Sequence, residues 1–137
     1  MTAVVLEGLT KRFGNTLAVD NLTLNIADGE FFTLLGPSGC GKTTTLRLVA
    51  GFETPTAGVI RFGRRVVNDL PPQRRNVGMV FQNYAVFPTM TVFENVAYGL
   101  EIRGGRGKEL RRRVLSALEL VGLAGLGDRR PDQLSGG

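Results

Sequence analysis

Residues 30–50 carry the tightest local constraint in this chain. Glu30-Phe31-Phe32-Thr33-Leu34-Leu35 leads into Gly36-Pro37-Ser38-Gly39-Cys40-Gly41-Lys42-Thr43, and a helical pattern then runs to Ala50. The middle eight residues fit G-x-x-x-x-G-K-[ST]. The run before them is short and largely apolar, as a buried parallel strand is. Beyond them, Leu46, Val49 and Ala50 fall on one side of a helix over 43–50, and Gly51 supplies a C-terminal stop. Glycines let the backbone turn tightly between strand and helix and approach an anion closely. Successive N–H groups from Gly39 to Thr44 can then face one concavity, and the helix N-terminus adds roughly half a positive charge. This arrangement predicts a cup for nucleotide phosphates, with Lys42 reaching the β- and γ-phosphates and the Thr43 hydroxyl coordinating Mg²⁺. Glycine makes up 19 of 137 residues, about twice the usual share, so chance matches are commoner here. Agreement between strand, loop and helix argues against one.

A chain of 137 residues is long enough for a real core, and its 42% hydrophobic content argues against disorder. No apolar run approaches the ~20 residues that span a bilayer. The segment Met1 to Glu7 lacks the basic and apolar regions of a secretory signal. One cysteine cannot form an internal disulfide, which fits a reducing cytosol. Cys40 has no Cys or His partner for a metal and reads as a small residue that fits the loop, ahead of a redox sensor. The net charge of +5 is carried largely by Arg64 and Arg65, Arg74 and Arg75, Arg111 to Arg113, and Arg129 and Arg130. These are scattered, with no interleaved aromatics to stack bases, so a solvated surface is favoured over a nucleic-acid site.

The first thirty residues read as short antiparallel strands, with Val4 and Leu6, then Leu22, Leu24 and Ile26, alternating against polar or small residues. Gly14-Asn15 and Asp28-Gly29 supply turns. Val59 to Val67 reads as a hairpin around Gly63-Arg64. Val77 to Phe81 reads as another buried strand, ending at Gln82. Beyond Pro88 the pattern becomes helical. Thr91 with Glu94 makes a capping box before a face of Phe93, Val96, Ala97 and Leu100. A second helix, Lys108 to Val121, is expected to bury Val114, Leu115, Leu118 and Val121. The expected organisation is a β-rich nucleotide lobe over 1–87 and a helical lobe over 88–137.

With Gly36 to Thr43, Gln82 and Leu134-Ser135-Gly136-Gly137 placed, the chain resembles the ATP-binding-cassette ATPases. More narrowly, it is similar to the ATP-binding subunits of solute importers of the maltose, polyamine and ferric-iron kind. Gly36 to Thr44 has the importer form of the loop. Val80 to Pro88 matches the family's Q-loop segment, and Thr91 to Val96 continues the match. These motifs stand in order, with 40 positions from Lys42 to Gln82. The resemblance implies an α/β fold, a P-loop NTPase core with an N-terminal antiparallel β-subdomain and a partial helical subdomain, incomplete C-terminally.

Residue roles follow by position. Phe13 matches the aromatic that stacks on adenine, worth roughly 1–3 kcal/mol for a stacked base; packing within its strand is the plainer alternative. Gly36, Pro37, Ser38, Gly39, Cys40, Gly41, Lys42, Thr43 and Thr44 form the phosphate loop, with Lys42 and Gln82 as catalytic residues. Thr43 and Gln82 match the Mg²⁺ contacts, and Gln82 also senses the attacking water. Tyr84 to Pro88 lie where the family docks the membrane subunits, either as an exposed Tyr84/Val86/Phe87 patch or with Phe87 packed inside. Ser135, Gly136 and Gly137 match the signature motif, which closes over ATP held by a second, head-to-tail subunit.

The implied cofactors are ATP and Mg²⁺. The implied partners are integral membrane permease subunits, a second ATP-binding subunit and, indirectly, a solute-binding protein, with no nucleic acid expected. The implied location is peripheral, on the cytoplasmic face of the cell membrane. Nothing matches the Walker B strand, and the chain has no histidine for the switch position. In the family both lie downstream of the signature, so the expectation is a fragment with little or no ATPase activity by itself.

Overall fold

The computed structural model describes residues 2–135, and these form two compact units, Met1–Met79 and Val80–Gly137. The first is built on a sheet in which β1 (Val4–Phe13) pairs antiparallel with β2 (Thr16–Ile26) on one side and with β3 (Ala57–Phe62) on the other. β4 (Arg65–Val66) extends it, giving the order β2-β1-β3-β4. Turns fall at Gly14-Asn15 and Gly63-Arg64, where the sequence places them. Strict alternation would send Leu6 and Leu9 to opposite faces. Both are fully buried, because the register shifts between them at Gly8, whose φ is +57°. They join Val19, Leu48, Ile60 and Val67 in one core.

α1 (Lys42–Ala50) lays Leu48 into that core with Val49 packed against it, and Thr45 and Ala50 are also buried. Of the expected face, Val49 and Ala50 turn inward, but Leu46 is half exposed and Leu48 takes the central position. Gly51 ends the helix as predicted, in the left-handed conformation at φ +87°, its N–H and that of Phe52 returning to Leu48 O and Arg47 O.

Two expected strands are absent. Phe31 to Leu35 carries neither helix nor strand, with Phe31 95% and Leu35 88% exposed, and Val80 in the second expected strand is 93% exposed. Apolar runs of this kind form strands only when neighbouring strands take up their backbone groups. The four strands among the described residues are all committed to the antiparallel sheet.

In the second unit, α2 (Val92–Ile102) packs with α3 (Gly107–Leu120) through Val92, Ala97, Val114 and Leu118. Thr91 Oγ1 accepts from Glu94 N–H at 3.2 Å, and Glu94 Oε2 accepts from Thr91 N–H at 2.7 Å, completing the expected box. The buried face of α3 is narrower than expected. Leu115 and Val121 stand 45% and 65% exposed, because the helix buries only the stripe centred on Val114 and Leu118, against α2 with Leu123 and Leu134 beside it. Among the described residues no helix is long and apolar enough to cross a membrane.

Thr91→Ala removes the hydroxyl half of the α2 cap and leaves Glu94 on the residue-91 N–H. It should cost about 1 kcal/mol, read as a lower urea midpoint in far-UV circular dichroism.

Candidate functional site

The site is built at the N-terminus of α1. A helix leaves its first backbone N–H groups without intrahelical partners. Here the N–H of Thr45 is the first to turn back, reaching Gly41 O at 2.8 Å, with its hydroxyl on the same oxygen at 3.0 Å. The amides of Lys42, Thr43 and Thr44 therefore head the helix, beside a hollow of about 250 Å³ lined by Ser38, Gly39, Gly41 and these three residues, with Ala18 from β2.

Glycine is required here by space as well as by conformation. Gly41 stands at φ +93°, and a Cβ on it would collide with the Ala18 carbonyl. Gly39, at φ +82°, faces open space. The loop thus turns in against β2 at Gly41 and stays open at Gly39, Ser38 and Pro37, all of them exposed.

The Lys42 ammonium spans this loop. Its Nζ donates to Gly36 O and Pro37 O, each at 2.7 Å, and lies 3.4 Å from Cys40 Sγ. Two carbonyls and a thiol thus take up its three protons. The cation is held on the same loop, with its side chain also lining the hollow. Thr43 is exposed, with its hydroxyl at the head of the helix.

Phe13 stands at the end of β1, 45% exposed, with Lys11 Nζ 4.7 Å above its ring centroid. Lys11 is itself tied to Glu53 at 3.0 Å and to Thr54 O at 2.8 Å. The ring is therefore half open for stacking and is not packed in the core; it does not line the loop hollow.

Gln82 and Ser135 belong to the second unit, both exposed. Gly136 and Gly137 lie outside the described residues. Tyr84, Val86 and Phe87 are all exposed, at 68%, 48% and 40%. Of the two alternatives for Phe87, the surface is the one found, with its ring 4.6 Å from that of Tyr98. Tyr84 and Ala85 both have positive φ, +59° and +51°.

Sequence reasoning passed over three residues that hold these segments. Asn95 accepts Phe87 N–H at 2.8 Å and donates to Phe87 O, Met90 O and Thr91 O, pinning the loop onto α2. Ala18 closes the hollow from β2. Arg75, grouped with the solvated arginines, is instead only 5% exposed, and burial lowers the pKa of its guanidinium from the ordinary value. A polar residue amid an apolar stretch was the available signal for Asn95; nothing in the sequence separates Arg75 from Arg74.

Comparison with known proteins gives one family. The ABC transporter family model matches residues 19–137, and the chain belongs to that family. It is 55% identical to the spermidine/putrescine import ATP-binding protein of Oleidesulfovibrio alaskensis, over 96% of this chain and 35% of the relative. It is 56% identical to the Fe(3+) ions import ATP-binding protein of Brucella abortus (strain 2308), over 98% of this chain and 38% of the relative. The chain thus spans little more than a third of the length of these curated relatives. Among solved structures, a dimeric post-hydrolysis state of an ATP-binding cassette bound to ADP and Pi matches with a TM-score of 0.86 and 35% identity, covering 97% of this chain and 63% of that one. The fold is that of a partial ABC-ATPase core, with an antiparallel β-subdomain and helices of the second subdomain.

The two loop glycines give a ranked test. Gly41→Ala incurs both left-handed strain and the collision with Ala18, whereas Gly39→Ala incurs strain alone. Gly41→Ala should show the larger loss of thermal stability; equal losses would contradict the close approach to β2.

Proposed function

We propose that this chain is the ATP-binding part of an energy-coupling subunit of a solute importer, in which binding and hydrolysis of ATP drive uptake. The observation that carries the reading is the hollow at the head of α1, with three leading amides, the Gly41 approach and the Lys42 ammonium gathered around it. These residues fit a nucleotide's phosphates: the amides and helix dipole supply fixed donors, and Lys42 can trade its two loop carbonyls for phosphate oxygens. The Thr43 hydroxyl is the ligand this loop would offer Mg²⁺, an ion usually bound by few protein groups alongside substrate phosphates. Gln82, Phe13 and the Ser135 to Gly137 motif take the metal-sensing, adenine-stacking and trans-contacting roles that family resemblance implies.

The import names of the relatives, together with the exposed Tyr84/Val86/Phe87 patch, support docking to a membrane permease at the cytoplasmic face of the membrane. The dimeric cassette structures support a second ATP-binding subunit as partner. Polyamine and ferric-iron relatives match equally well, so the solute class stays with the partner subunits that select it.

Equilibrium dialysis with Mg-ATP tests the reading. The chain should bind, AMP should compete poorly, and Lys42→Ala should weaken binding roughly 10–100-fold, the worth of one charge-assisted contact set. Failure of the wild-type chain to bind would overturn it.

A further inference from the structure

Arg75 is the buried charged residue among those described, and its partners are four backbone carbonyls. Nη1 donates to Leu48 O at 2.7 Å and Val49 O at 3.0 Å, both in the last turn of α1. Nε donates to Leu70 O at 2.7 Å, and Nη2 to Asn68 O at 3.1 Å. A helix's last carbonyls are left without intrahelical donors and carry the negative end of its dipole. A guanidinium presents donors in a fixed planar fork, so it can join two chain segments rigidly where an ammonium cannot.

The segment it grips is anchored in turn. The Asn68 side chain accepts Ile60 N–H at 2.8 Å and donates to Gly58 O at 2.9 Å, both in β3. A continuous path therefore runs from β3 through Asn68 and Arg75 to the end of α1. Space is kept for it: a Cβ on Gly51 would lie 2.5 Å from Arg75 Nε. At the other end of the same nine-residue helix, Gly41 abuts Ala18 of β2. The helix is held to the sheet at both ends.

We propose that Arg75 is a positioning residue for nucleotide binding: by fixing the far end of α1 to the sheet, it keeps the leading amides of the helix and the Lys42 stem in place around the phosphate hollow. This rests on the nucleotide reading above. A helix about 13 Å long that pivots at Gly41 keeps its axis, and so the direction of its leading amides, only if its tail is fixed. Cup geometry that drifts by an ångström loses several donors at once.

The test compares Arg75→Met and Arg75→Lys with Ile60→Val, a change in the same core that touches neither the loop nor the guanidinium. Mg-ATP affinity is measured by equilibrium dialysis at a temperature where each variant is folded, and melting temperatures are recorded beside it. Arg75→Met should weaken binding about tenfold or more, Arg75→Lys by a smaller factor, and Ile60→Val by less than about twofold, whatever their stabilities. Arg75 variants that bind as Ile60→Val does would overturn the proposal and leave a purely structural role. Should Arg75→Met not fold, Arg75→Lys carries the comparison. Amide exchange of Thr45 in the ligand-free chain separates this idea from the nucleotide reading. Its protection should fall about tenfold in Arg75→Lys relative to the β1 amides, and unchanged protection would count against the proposal even if no nucleotide bound.

Discussion

The hollow in the first unit depends on how one short helix is seated. Nine residues are too few to be stable as a free helix, so α1 exists because tertiary contacts hold it. Leu48 and Ala50 bury its inner face, Gly41 lets its head lie against the Ala18 carbonyl, and Arg75 closes its tail. The phosphate contacts proposed for its leading amides require that seat to be rigid. Burying a guanidinium against neutral carbonyls is costly unless its protons are used, and here four of its five N–H groups reach carbonyls.

The second unit solves a similar problem with neutral groups. Asn95, from the middle of the first turn and a half of α2, bonds the backbone on both sides of the Met90 turn, and the Thr91–Glu94 box closes the helix start beside it. The loop before α2 is consequently fixed by hydrogen bonds, and the side chains of Tyr84 and Phe87 stand exposed on it. Polar groups set the backbone, and apolar groups form the surface.

Local chemistry was legible in the sequence. The β1–β2 and β3–β4 turns, the Thr91 cap, the Gly51 stop and the phosphate loop each depend on a few adjacent residues whose steric demands are visible in the letters. What misled were decisions made across space. Leu46 and Leu48 are equally apolar, and which one faces the sheet is settled by the helix's rotation in its seat. Leu115 and Val121 have helical spacing but no second layer to cover them. Phe31 to Leu35 has the composition of a central strand, yet a strand is defined by its neighbours. Arg75 looks like its companion Arg74 until the carbonyls around it are seen. Of the candidate site, the loop and Lys42 could be read directly; the parts that brace it could not.

Tyr84 and Ala85 hold one more consequence. Two successive side-chain-bearing residues in the left-handed region store roughly 1–2 kcal/mol each. The bend is thus a strained piece of backbone, kept in place by the short turn bonds from Tyr84 N–H to Phe81 O and from Ala85 N–H to Asn83 O.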